Sequence, residues 1–148
     1  MEPLPHRYDV EIEWEGTEVA LVTAWPRPPI PGGAPPEFGG KDRWWSPEHL
    51  LLSSLGLCFW TTFQAVAAKA RMPVVSWQSR VRGTLDRTGD GIAFTSFVLH
   101  VALLVAPADV ERAEGLAQKA KKHCLVSAAL KTPVDLELTV GAAEPATV

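Results

Sequence analysis

Residues 46–60 read SPEHLLLSSLGLCFW, and their reading decides the fold. Ser46 suits a helix N-cap, Pro47 the first helical position, and the Glu48 carboxylate the positive end of the helix dipole. From Leu50 to Ala68 no residue is charged. The pattern predicts a helix from Pro47 to about Lys69 that stops before Pro73. A stretch of this length also meets the first test for a membrane span. Ser53, Ser54, Thr61, Thr62 and Gln64 interrupt it, and it stands alone in an otherwise soluble pattern. The expectation is therefore a helix buried in protein, with no membrane partner. It is apolar almost all round. One sheet covers only one side, and a second copy of the chain is the economical cover for the other. A homodimer is expected.

Upstream, Tyr8, Val10, Ile12 and Trp14 alternate with Arg7, Asp9, Glu11 and Glu13, the pattern of a half-buried strand. Glu15-Gly16-Thr17 reads as a turn, and Glu18–Ala24 as the second strand of a hairpin. Residues 26–40, PRPPIPGGAPPEFGG, hold six prolines and are expected to form a surface loop without regular strand or helix. Downstream, Val74–Leu85 places Trp77, Ser79 and Val81 opposite Gln78, Arg80 and Arg82. Asp86–Gly91 turns the chain into Ile92–Val105, a strand apolar enough to be covered on both faces. Pro107 opens a second helix, with Val110, Ala113, Ala117, Ala120 and Cys124 on one stripe. Lys119, Lys121 and Lys122 read as its solvated end. A last strand is expected at Val134–Val140. The fold class is α+β with antiparallel sheet. One domain is expected over residues 1–140, with 141–148 a flexible tail.

Composition excludes several classes. A hydrophobic content of 47% with six tryptophans allows a real core. A net charge of −3 argues against nucleic acid as partner, because phosphate binding needs a basic face. Two cysteines do not make a disulfide-stapled scaffold, and MEPLPHRYDVEIEW is no basic-then-apolar leader. The expected compartment is the cytoplasm. His6, His49, His100 and His123 show no metal-ligand spacing, so no metal is expected. His123 adjoins Cys124, but neighbours on a helix point about 100° apart, which argues against a Cys–His nucleophile pair.

The chemistry rests on two thiols. Cys58 lies mid-helix among Leu55, Leu57, Phe59 and Trp60; Cys124 ends the apolar stripe of the second helix. Either alone reads as a small buried apolar residue. Two helices packed on one sheet can bring both thiols together. A thiolate that attacks a peroxide becomes a sulfenic acid, and a second thiol converts it to a disulfide. The nucleophile needs a lowered pKa, and neither cysteine sits at an evident helix N-terminus. A guanidinium held by a carboxylate would supply the charge. Glu48, ten residues before Cys58, lies roughly 80° around the helix and about 15 Å along it. The two can border one pocket from its ends without touching. Trp44, Trp45, Phe59, Trp60 and Phe63 cluster around the helix start and Cys58; most read as core, whereas Trp44-Trp45 could form an apolar lid for a greasy substrate.

These residues resemble the OsmC/Ohr family, the osmotically inducible and organic-hydroperoxide-resistance proteins. SPEHLLLSSLGLCFW is similar to the family's (N/S)PE-x-L…(A/G)-x-CF stretch, and KAKKHCLVSAAL, residues 119–130, to A-x-x-x-CPVS-x-AL. Both cysteines fall in register. The resemblance implies an intertwined homodimer with two long central helices and sites at the subunit interface. It implies a thiol peroxidase that reduces organic hydroperoxides to alcohols without metal or cofactor. Cys58 would be the peroxidatic cysteine, Cys124 the resolving one, and Glu48 the carboxylate that positions an arginine. The reductant would be a dithiol such as a lipoylated protein. Two positions depart from the pattern. Leu125 replaces the proline after the second cysteine, and no arginine falls in register; Arg43 and Arg27 are the candidates, Arg43 the better. The alternative functions are a dimeric binder of small apolar ligands, with the thiols as core residues, and a thiol redox sensor.

Overall fold

The computed structural model describes residues Glu2–Glu144. The chain divides into two units between Leu51 and Leu52. In the first, β1 (Glu11–Glu13), β2 (Ala20–Thr23) and β3 (Ile30–Gly32) form an antiparallel sheet in the order β1-β2-β3. The expected hairpin is present, turning through Gly16, whose φ of 81° suits glycine. Its apolar face is not buried: Tyr8 is 86% exposed, and Val10, Ile12 and Trp14 are also open. Alternation decides which side chains share a face, but burial needs a second layer.

The proline-rich stretch is more regular than expected. It contains β3 and a 3-10 turn at Pro36–Phe38. Pro31 is tolerated because its carbonyl turns away from β2 and accepts the Trp45 amide at 3.3 Å. The N–H that proline lacks is therefore not one that β2 requires. The start of α1 (Pro47–Lys69) follows the sequence signals. The His49 amide donates to Ser46 Oγ at 3.2 Å, so Ser46 is the N-cap and Pro47 the first helical residue.

In the second unit, α1 buries Leu55, Phe59, Phe63 and Ala67, a stripe with a spacing of four. Trp77 packs its ring 5.8 Å from Phe59 and 4.9 Å from Phe63, centroid to centroid. Gly56 permits the close approach: a Cβ there would lie 2.8 Å from Cγ2 of Val81. By length and composition α1 could cross a membrane, and its outer side leaves Leu57 62% and Trp60 38% exposed.

The sheet has the order β4-β5-β6, with β4 at Val74–Thr88, β5 at Gly91–Val105 and β6 at Val134–Ala142. β4 and β5 form the expected antiparallel hairpin, with strands long enough to leave only Gly89 and Asp90 between them. β6 instead pairs with β5 in parallel, which corrects the wholly antiparallel expectation. The chain leaves one end of β5, passes through helices, and re-enters beside it in the same direction. β5 is also covered on one face only. Phe97, Leu99, Val101, Leu103 and Val105 are buried, whereas Ala102 and Leu104 are exposed.

A 3-10 turn at Pro107–Asp109 leads into α2 (Val110–His123), which buries Ala113, Ala117 and Ala120. These small residues suit close packing of α2 on β6. Among the described residues α1 is the one long helix, with 23 residues, and α2 has 14. The helix stops before Cys124, whose φ of −70° and ψ of 110° are extended. A short α3 (Leu125–Ala129) begins at once, closed by the Ala128 amide on the Cys124 carbonyl at 3.0 Å. No proline is needed at position 125 to start it. Gly141 and Ala142, expected in the tail, are instead in β6, and the Ala143 amide bonds the Val105 carbonyl at 2.8 Å. Residues 145–148 lie outside the described residues. Phe63→Ala is expected to lower stability by about 3–5 kcal/mol, because the ring fills a closed space. Urea unfolding should show a lower midpoint with an unchanged slope.

Candidate functional site

Cys58 follows Leu57 and precedes Phe59 on α1, so it lies one residue off the buried stripe and is half-buried. Cys124 is 1% exposed in the break between α2 and α3. Both thiols are free, and each is near enough to act on the other. The Cys124 thiol donates a hydrogen bond to the Cys58 sulfur. The amides of Val126 and Leu125, in the first turn of α3, donate to the same sulfur. Those of Ser127 and Val126 face the Cys124 sulfur. First-turn amides have no acceptor within their own helix, and here sulfur takes that place.

The two thiols are pushed in opposite directions. Burial raises the Cys58 pKa, but the Val126 amide, the Cys124 thiol, the Leu125 amide and the Thr62 hydroxyl together outweigh it. Its thiol therefore lies below the ordinary thiol range. Thr62 is the least of these, since its single proton also serves the Cys58 carbonyl at 2.7 Å. Burial raises the Cys124 pKa, the Ser127 amide opposes that rise, and the neighbouring Cys58 adds to it. Cys58 thus ionises first, and Cys124 stays a protonated donor beside it.

The expected guanidinium is not among the groups that act most on Cys58; backbone amides are. The sequence reading missed them because it continued α2 through Cys124. The family pattern held the signal, since a proline after the second cysteine marks a new helix start. Leucine at that position keeps an N–H that proline would lack. Glu48 is in the first turn of α1, with one carboxylate oxygen shielded from water and no hydrogen-bond partner among the described residues. Arg43 lies 4.4 Å over the Trp44 ring, and Arg27 is exposed. Of the aromatics expected around the site, Phe59 and Phe63 are core, whereas Trp45 is 49% exposed. Among the described residues no cluster of three His, Cys, Asp or Glu could hold a metal.

Fold and site together define an α+β dithiol protein, its thiols meeting where a long helix faces the start of a short one. The chain belongs to the family of OsmC-like proteins, whose pattern it matches over residues 40–139. It is similar to the peroxiredoxin OsmC of Escherichia coli (strain K12), with 28% identity over 107 residues, 72% of this chain and 74% of the relative. Its fold is similar to that of an OsmC-like protein from Vibrio cholerae, with a TM-score of 0.84 at 18% identity over 91% of this chain and 100% of the other. An organic hydroperoxide resistance protein from Elizabethkingia anophelis superposes with a TM-score of 0.73 at 20% identity, covering 95% of this chain and all 100% of that one.

The pH dependence follows from these directions. Iodoacetamide alkylation of Cys58 should stay fast below the ordinary thiol pKa of about 8.5 and fall only as pH drops through its lowered value. Cys124 should react only above that range. Leu125→Pro, which a first helical position tolerates, removes one amide donor and should move the Cys58 profile to higher pH. Leu125→Ala keeps the amide and should not. Peptide mass spectrometry after timed alkylation reads both thiols.

Proposed function

We propose that the chain is a thiol-dependent peroxidase that reduces organic hydroperoxides to alcohols. The observation that carries this reading is the placing of the Cys124 thiol and the first-turn amides of α3 beside Cys58, which pushes two neighbouring thiols in opposite directions. Thiols that served only as core residues would both be pushed up by burial. Here the half-buried one is depressed by amides aimed at it, the condition a nucleophilic thiolate requires. The Cys58 thiolate attacks the outer oxygen of ROOH, and the O–O bond breaks. The alkoxide takes a proton and leaves as the alcohol, with Cys58 now a sulfenic acid. Cys124 then attacks the sulfenic sulfur, water leaves, and a Cys58–Cys124 disulfide forms. Two electrons have passed from the thiols to the peroxide. A dithiol reductant such as a lipoylated protein restores both thiols by exchange.

Glu48 takes a positioning role. Its shielded oxygen lacks a donor among the described residues, a state that buried carboxylates rarely keep. A guanidinium from Arg43 or Arg27 would satisfy it. The working unit is a homodimer, because α1 leaves apolar side chains such as Leu57 and Trp60 open on its outer side. The cytoplasm suits a protein whose two thiols must return to the reduced state.

Turnover of cumene hydroperoxide with a dithiol tests the activity. Cys58→Ser should reduce it to the uncatalysed rate; a fully active mutant would remove Cys58 as nucleophile. Cys124→Ser should leave a sulfenic acid on Cys58 that dimedone traps. Light scattering should give twice the 16.1 kDa chain mass.

A further inference from the structure

Residues 115–134 contain no carboxylate, in a chain whose net charge is −3. The same stretch holds four of the six lysines: Lys119, Lys121, Lys122 and Lys131. The fold gathers three of them. Lys121 and Lys122 from the end of α2 and Lys131 from the turn before β6 line one groove of about 480 Å³, with Gln118, Ser127 and Thr132. None of the three lysines forms an ion pair among the described residues. Ser127 joins this groove to the thiols: it lines the groove, and its amide faces the Cys124 sulfur. A solvated helix end explains two lysines in the last turn of α2. It does not explain why Lys131 comes to the same groove.

We infer that this lysine-lined groove receives the reductant, and that it selects a dithiol carrying negative charge. The inference rests on the peroxidase reading, in which the disulfide must be reduced from outside. Three ammonium groups in a groove that Ser127 shares with the thiols would raise the local concentration of an anionic dithiol and speed its encounter. The exchange balances. One thiolate of the reductant attacks a disulfide sulfur, and the other protein sulfur leaves as thiolate. Cys58 is the better leaving group, since the Val126 and Leu125 amides hold its thiolate. The second thiol of the reductant then displaces the mixed disulfide. The protein recovers two thiols, and the reductant departs as its own disulfide, two electrons poorer.

The test separates this step from peroxide chemistry. The disulfide is formed with diamide, confirmed by mass, and reduced with dihydrolipoate or its uncharged amide, dihydrolipoamide, at equal concentration. In about 0.01 M salt, where the Debye length is about 30 Å, dihydrolipoate should react about ten-fold faster. In about 1 M salt, where that length is about 3 Å, the advantage should vanish. The triple variant K121Q/K122Q/K131Q should lose the preference, and K121E/K122E/K131E should reverse it, while the rate with dihydrolipoamide stays within a factor of about two. A dithiol peptide flanked by aspartates, set against one flanked by serines, tells whether a protein segment is preferred over a small carboxylate. Equal wild-type rates for the two small dithiols at low salt overturn the inference, as does a preference that survives the glutamine variant. Failure of cumene hydroperoxide to form the disulfide that diamide forms would instead remove the peroxidase reading. A pair that diamide cannot couple removes both.

Discussion

The packing of the Leu55, Phe59, Phe63 and Ala67 stripe on the sheet is the constraint from which the rest follows. It sets the rotation of α1, and rotation decides the environment of every other side chain on that helix. Cys58 precedes Phe59, so it is turned about 100° from the buried face and comes to rest half-open. A one-residue slip would bury the thiol with no donors or place it in water. Trp77 resists that slip by packing on both phenylalanines, and Gly56 resists it by letting the helix lie close against Val81.

The second constraint is the helix break at Cys124. A continuous α2 would bond those amides to the carbonyls of its preceding turn. The break leaves the first-turn amides of α3 free, and they meet two sulfurs rather than water. One structural event thereby buries Cys124, orients it toward Cys58 and supplies the donors that lower the Cys58 pKa. Charge is brought to the thiolate as backbone dipoles, which cannot be lost by side-chain rotation. The arginine expected from the family resemblance would add to this arrangement rather than create it.

Several elements were legible in advance for local reasons. The N-cap serine, first-turn proline and first-turn carboxylate of α1 act within a few residues of themselves, so their reading survives any tertiary context. The alternation of β4 likewise separated Trp77 and Val81 from Arg80 and Arg82. The errors have a common physical form. Pro31 was read as incompatible with a strand, yet a strand edge uses N–H groups on one side only. β5 was read as covered on both faces because it is apolar throughout, yet only alternate residues met a second layer. Tyr8, Val10, Ile12 and Trp14 were read as half-buried from alternation alone.

The sequence by itself determined where α1 starts, which residues share a face, and that one cysteine stands mid-helix and the other at the end of a helical stripe, each in a motif-like setting. These properties depend on bonds and neighbours within about one helical turn. Tertiary structure alone decided that β6 lies parallel to β5, that the two thiols are neighbours, and that their surroundings push them in opposite directions. A thiol pKa is the balance between burial and hydrogen bonds from residues far along the chain, here between positions 58 and 124–126. No local pattern encodes that balance, because it exists only when the sheet has brought α1 and the start of α3 together.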